Sequence, residues 1–316
     1  MNQEPIPITE QVWSNNTLPV VSVFNWVYNH KDFIRESIES ILMQKTTFPV
    51  EIIIHDDASN DGTAEVIKEY EAKFPRLFRN ILQVDNQWSQ GKSVMVPLFE
   101  KPRGKYIALT HGDDYWTDPY KLQKQINLLE QYPEASLCVA LNEQLITHKN
   151  ETKKDRLYES IDFPLINHIE DLNQYFHTST YLIRKSKLDY LSDNYSKLFL
   201  GDSGIRFLLI SQGPFVVLNE HVSVYRITGE GVWSSLSEYK RELMHYNLFH
   251  AFRTQFIKEQ FNYHVNLEIN SLRRLAEYCK RNNLIKKWLK YRLIYIYLLF
   301  KYRHDRVIKQ LLGKLK

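Results

Sequence analysis

Apolar residues arrive in short runs that alternate with helical repeats. Pro19 to Phe24 (PVVSVF) is apolar and β-branched, and Phe33, Ile34, Ile38, Ile41 and Leu42 then recur on one helical face. Val50 to His55 (VEIIIH) starts the same cycle again, with the polar turn DDASNDGT and then Val66, Ile67, Tyr70 and Phe74 at helical spacing. Leu77 to Val84 predicts a third strand, Val94 to Glu100 a helix, and Lys105 to Thr110 (KYIALT) a fourth strand running into HGDDYW. Asp118-Pro119 is a start signal for a helix over Tyr120 to Tyr132, with Asp as cap and Pro at the first helical position. Ser136 to Leu141 and Ser179 to Arg184 read as further strands, and the polar stretch Thr147 to Glu159 as a surface loop. From about Glu238 strand signals largely vanish, and Leu, Phe, Tyr, Lys and Arg repeat at helical intervals until Gly313. Alternating strands and helices predict an α/β fold with a mostly parallel central sheet covered on both faces. Ligands of such sheets sit outside the carboxyl ends of the strands, where the aspartates of this chain collect.

The net charge of +4 conceals an asymmetry. From Lys280 to Lys316 there are 12 basic residues and one acid, Asp305, which leaves the rest of the chain with 29 basic against 36 acidic residues. An acidic body with a cationic tail argues for a catalytic unit with a separate attachment element, and against nucleic acid binding by the main domain. Cys138 and Cys279 form no C-x-x-C pair, which argues against a disulfide framework or a structural zinc site. The acidic, proline-containing start MNQEPIPITEQVW lacks the pattern of a secretory signal, so a cytoplasmic location is expected.

Two carboxylate clusters carry the candidate chemistry. In His55-Asp56-Asp57-Ala58-Ser59-Asn60-Asp61-Gly62-Thr63, Ser59, Asn60 and Asp61 suit turns and a helix cap with solvated acids. The sharper alternative is that Asp57 accepts the imide N–H of a pyrimidine base. An aspartyl-nucleophile phosphatase needs D-x-D-x-T, and the acids here are adjacent. The second cluster, Thr110-His111-Gly112-Asp113-Asp114-Tyr115-Trp116, also follows a strand. Adjacent carboxylates repel unless a cation neutralises them, and hard oxygen ligands at a strand end suit Mg²⁺ or Mn²⁺ held jointly with phosphates. The alternative is a tight turn before the next helix.

Together these segments resemble glycosyltransferase family 2, with its nucleotide-sugar-binding GT-A fold. VSVFNWVYNHKDFIRESIESILMQ is similar to the opening strand, turn and first helix, EIIIHDDASNDGT to the D-D-x-S-x-D-G-T element, and GKYIALTHGDDYW to the strand ending in the metal motif. The resemblance covers Pro19 to Ser235, and FLGDSGIRFLLISQGPFVVLNEHVSVYRITGEGVWSS is similar to the acceptor-side half. It implies an N-terminal extension over 1–18, a GT-A catalytic domain over 19–235 and a helical C-terminal region over 236–316. It implies that Tyr28 stacks on the base, Asp57 bonds its imide, Asp113 touches the ribose and Asp114 ligates the metal. Asp202 matches the general base, its alternative being a helix cap, and Lys92 and Arg226 are candidate phosphate contacts. The metal motif reads D-D where the family has D-x-D, and the Q-x-x-R-W motif of processive polymerases is missing.

The implied reaction is transfer of one sugar, with inversion, from a nucleoside-diphosphate sugar, UDP-sugar favoured, to a hydroxyl of a glycan or lipid-linked acceptor. Competing classes are a nucleotidyltransferase that makes nucleotide sugars, although VFNWVYNH lacks the expected glycines, and a non-catalytic glycan- or partner-binding relative. Thr228 to Trp233, with two glycines around Glu230, has the composition of a closing loop. His177 to Thr180 resembles the acceptor-side strand and is assigned no role. Residues 280–316 combine basic and aromatic residues as a peripheral contact with anionic membrane would, at the inner face of the cell membrane. The alternative is a helix packed on the catalytic domain or another subunit.

Overall fold

The structure, a computed structural model, describes residues 4–14, 16–155, 157, 165–166, 176–188, 201–229, 236–251, 254 and 261–313, without the side chains of 148, 201–203, 261–264, 300 and 303–313. The chain packs as two compact units, Met1–Thr228 and Gly229–Lys316.

In the first unit the runs of apolar residues become strands and the helical repeats cover them. β1 (Ile6–Pro7) leads to β2 (Val21–Val27), α1 (Lys31–Leu42), β3 (Lys45–Thr46), β4 (Val50–Asp56), α2 (Thr63–Lys73) and β5 (Ile81–Leu82). Then come α3 (Val96–Glu100), β6 (Tyr106–His111), β7 (Tyr115–Trp116), α4 (Lys121–Gln131), β8 (Leu137–Ile146), β9 (Glu151–Lys154) and β10 (Leu165–Ile166). β11 (Leu182–Arg184), α5 (Gly201–Ile210) and β12 (Phe215–Ile227) complete the unit.

The main sheet runs β5-β4-β2-β6-β11-β8-β12-β10, with β7 added to β12 and β9 to β8; β1 pairs with β3 apart from it. β5, β4, β2 and β6 are parallel, as are β8 and β12, while β11 lies antiparallel between β6 and β8. Every residue of β2 and β4 is buried, as expected of strands covered on both faces. Ile34, Ile38 and Ile41 of α1 and Leu122 and Leu129 of α4 belong to the core on that sheet. The residues before β2 join the same unit, since Ile8 is buried and the Gln11 side chain donates to the Thr46 carbonyl at 2.7 Å.

Three sequence expectations change, and a long strand appears where none was expected. The strand over 77–84 contracts to Ile81–Leu82 and a single bridge from Phe78 to Ile52. Ser179 opens no strand: Thr178–Thr180 is a 3₁₀ turn, and pairing starts at Leu182. The loop expected over 147–159 contains β9, which folds back on β8 through Asn150 in the left-handed region at φ 50°. All four residues of β9 are exposed and polar, so no apolar alternation marks it. Residues 213–227 hold the 13-residue β12, buried over Phe215–Leu218 and again over Val222–Val224, with Asn219, Glu220 and His221 more open at a bulge between Leu218 and Ser223.

The second unit consists of α6 (Glu238–Ala251), α7 (Phe261–Arg281) and α8 (Ile285–Gly313). Its core joins Val265, Ile269, Leu272 and Leu275 of α7 to Tyr291 and Leu298 of α8. Cys138 is buried in the first unit and Cys279 in the second, both as free thiols.

Candidate functional site

The order β5-β4-β2-β6 places a topological switch between β2 and β6, because the chain builds outward from β2 on one side before returning to the other. At such a switch the loops after adjoining strands part, leaving a crevice at their carboxyl ends. Tyr28 follows β2, Asp57 follows β4, and Gly112-Asp113-Asp114 follows β6.

The loops after β2 and β4 are laced together. Asn29, at φ 54°, receives the Asn60 amide on Oδ1 at 3.0 Å and donates its own amide to Ser59 Oγ at 2.8 Å. The His30 amide donates to Thr63 Oγ1 at 3.0 Å and that of Lys31 to Asp61 Oδ2 at 3.0 Å, so one acid serves the starts of α1 and α2. Burial pushes the Asp61 carboxyl up, but hydrogen bonds from Thr63 and Lys31 outweigh it and hold it below the usual range. Asp56 is raised by burial, against hydrogen bonds from the Ser59 hydroxyl and amide. Asp61 and Thr63 therefore accept amides at the starts of the two helices, while Ser59 joins the two loops.

Asp57 is buried, and its two oxygens accept the backbone amides of Gln87 at 2.7 Å and Trp88 at 3.0 Å. Asn86 closes the contact by donating to the Asp57 carbonyl at 2.8 Å. The turn over 86–92 that carries Lys92 is thus anchored to Asp57, with Lys92 itself exposed. Tyr28 is 40% exposed at the end of the neighbouring strand.

The second cluster is more closed. Asp114 is 1% exposed; Oδ1 accepts the Arg226 amide at 3.0 Å, and Oδ2 lies 3.5 Å from His111 Nδ1 and 3.7 Å from His177 Nδ1. The three groups offer ligand atoms within 4.8 Å of one another. Trp26 stacks on His111 with centroids 5.5 Å apart, and Tyr225 on His177 at 4.1 Å, so an aromatic ring orients each imidazole. His177 Nδ1 also receives the Ser179 amide at 3.3 Å, which ties it to the 3₁₀ turn before β11. Asp113 is more open, its Oδ2 3.8 Å from His30 Nε2. Gly112 has room for nothing larger: a Cβ there would lie 2.7 Å from His30 Nδ1 and 2.9 Å from Val27 Cγ2.

Arg226 is buried, and its guanidinium donates to the Asp113 carbonyl at 2.7 Å and to Glu36, with its Cζ 4.4 Å from the centre of the Tyr115 ring. The structure thus gives Arg226 a role in fixing the Asp113-Asp114 turn. Asp202 lies on α5, but its side chain, like residues 230–233 of the expected closing loop, is outside the described residues.

His111, His177 and Glu36 escaped sequence reasoning as site residues. His111 stood inside a motif read for its carboxylates, and His177 lies 66 positions away in a segment with no periodic signal. Only the pairing of β11 with β6 brings the two together.

The pattern described as "Glycosyl transferase family 2" matches residues 22–191, more than half of the chain. The chain belongs to glycosyltransferase family 2. An uncharacterized protein of Mycobacterium tuberculosis is 32% identical over 223 residues, 68% of this chain, which spans 61% of that relative's length. S. aureus TarS 1–349 in complex with UDP-GlcNAc matches this family 2 chain with a TM-score of 0.62 at 15% identity, over 88% of this chain and 81% of that one. A mannosyltransferase of Pyrobaculum calidifontis, PcManGT, in complex with GDP-Man and Mn²⁺, matches with a TM-score of 0.52 at 14% identity, over 92% and 89%. The fold is GT-A-like.

Proposed function

We propose that this family 2 chain is a metal-dependent, inverting glycosyltransferase that moves one sugar from a nucleoside-diphosphate sugar to a hydroxyl of a glycan or lipid-linked acceptor. The observation that carries the reading is the grouping of Asp114, His111 and His177 near the end of β6, with Tyr28 and Asp57 following the neighbouring parallel strands β2 and β4. One carboxylate with two imidazoles fits a divalent cation of the Mn²⁺ type better than Mg²⁺, which prefers oxygen alone. Such a cation, when bound, neutralises charge on the diphosphate leaving group.

The chain's own residues supply the rest. Tyr28 offers an exposed ring for stacking, Asp57 an acceptor for a base N–H, and Asp113 a carboxylate for the ribose. Asp202 is the proposed general base, removing the acceptor proton as the hydroxyl attacks the face opposite the leaving group. UDP is the favoured nucleotide, in keeping with the UDP-GlcNAc bound by S. aureus TarS. A lipid-linked acceptor lies at a membrane surface, which makes peripheral attachment at the inner face of the membrane part of this reading.

The test is thermal shift with UDP, TDP, GDP and CDP, each with and without Mn²⁺. Stabilisation by one diphosphate that needs the cation supports the reading. No shift with any of the four at millimolar concentration overturns it.

A further inference from the structure

Helix α8 is apolar on two faces, and the core of its unit explains only one of them. Trp288, Tyr291, Tyr295, Leu298 and Tyr302 turn inward onto the cluster built around α7. On the other side Ile285 is 66% exposed, Leu289 47%, Leu293 64% and Ile296 36%. At 3.6 residues per turn these four occupy one continuous stripe about 80° wide. Arg292 borders one edge of the stripe and Lys286 the other, with Tyr297, Lys290 and Lys301 just beyond. All are exposed, and residues 285–302 contain no acid.

The charges decide what can cover such a stripe. Two copies packed stripe to stripe would set basic flank against basic flank, which repels where a coiled coil needs opposite signs. Among the described residues the flanking cations form no ion pair with an acid: Lys290 lies over the Tyr291 ring at 5.8 Å, Arg292 over Tyr295 at 5.2 Å and Lys301 over Tyr297 at 5.6 Å. An apolar stripe about 18 Å long, bordered by cations and an exposed tyrosine, suits burial at the boundary between anionic headgroups and acyl chains. No described helix is long and apolar enough to cross a membrane.

We propose that the outer face of α8, centred on Leu289 and Leu293 and flanked by Lys286, Lys290 and Arg292, docks the protein flat onto an anionic lipid surface. This rests on the functional reading and gives its attachment a definite surface, whose residues belong to the second unit while those of the donor site belong to the first.

The test is flotation of the full chain with vesicles of phosphatidylcholine alone or with a third phosphatidylglycerol. Wild type is expected to float with the anionic vesicles and not the neutral ones, and to be released by high salt. Leu289→Glu/Leu293→Glu is expected to lose at least tenfold of the bound fraction. Each basic residue near an anionic surface is worth roughly fivefold in partitioning, so Lys286→Glu/Lys290→Glu is also expected to lose more than tenfold. The substituted side chains are exposed, so both variants should keep the wild-type melting temperature and nucleotide-induced shift. Failure of the vesicle result can thus be told from failure of the donor site. Wild type that ignores anionic vesicles, binds neutral ones equally well, or is matched by both variants overturns the proposal. A dimer in light scattering that Leu289→Glu/Leu293→Glu splits, without vesicle binding, also overturns it and assigns the face to a second copy.

Discussion

The Asp114 carboxylate accepts the Arg226 backbone amide at 3.0 Å, joining the turn after β6 to the end of β12 across 112 residues of sequence. One oxygen is thereby structural and the other faces two histidines. The two roles separate by substitution. Asp114→Asn keeps an acceptor for the amide and should change stability by less than about 1 kcal/mol, yet abolish the Mn²⁺-dependent part of the nucleotide shift. Asp114→Ala leaves the buried amide unpaired and should cost about 1–3 kcal/mol as well. Denaturant melts with and without UDP and Mn²⁺ measure both, and equal metal dependence in Asp114→Asn would remove Asp114 as a ligand.

Gly112 is tested by its hydrogen. An added methyl group at 2.7 Å from the His30 ring and 2.9 Å from Val27 forces the loop after β2 away from Asp113. Gly112→Ala should destabilise by about 1–3 kcal/mol and weaken nucleotide binding with it. Unchanged unfolding midpoints would show that the loop yields freely.

Lys121 is fully buried beneath the sheet, its Nζ bonded to Gln125 Oε1 at 2.8 Å and held 4.2 Å from the centre of the Trp116 ring. Burial pushes its ammonium down to about 7. In the unfolded chain the proton stays on until about pH 10.4. Between these values the unfolded state binds more protons, so the stability lost at this position is largest below pH 7 and is recovered as the pH rises toward 10. Lys121→Met should therefore stabilise by about 2–4 kcal/mol near pH 6.5, with the gain shrinking at pH 10. A gain independent of pH would point to packing instead of charge.

Asp202→Asn should lower turnover by about 10²- to 10⁴-fold while leaving nucleotide stabilisation in place. Once a donor and an acceptor are known, turnover equal to wild type would exclude Asp202 as the base.

Most of the parallel half of the sheet was legible because β2, β4 and β6 are continuous apolar runs, and runs survive without knowledge of their partners. β9 was illegible because it is polar on both faces and owes its pairing to the hairpin at Asn150 and to an ion pair, Lys154 to Glu143 at 2.6 Å. β12 consists of two buried runs broken by the polar Asn219, Glu220 and His221, and no single period describes it. In the site, acids clustered in sequence could be read, since each cluster ends one strand. The meeting of His111 with His177 could not, because β11 enters the sheet antiparallel and brings in a residue from a segment that resembles the acceptor-side strand but was assigned no role. Arg226 shows a related limit: a cation near phosphate chemistry can as well be the clamp that holds the acids in place.

The two cysteines give each unit its own clock. Cys138 is buried on β8 with its thiol pushed up to about 12, and Cys279 is buried on α7 with its thiol also raised, by burial. A thiol reagent can reach either sulfur only after the surrounding unit opens. Labelling of unmodified protein, resolved by peptide mass, therefore yields two opening rates at once. Protection of Cys138 alone on adding nucleotide and cation would assign the ligand to the sheet unit without a single mutation.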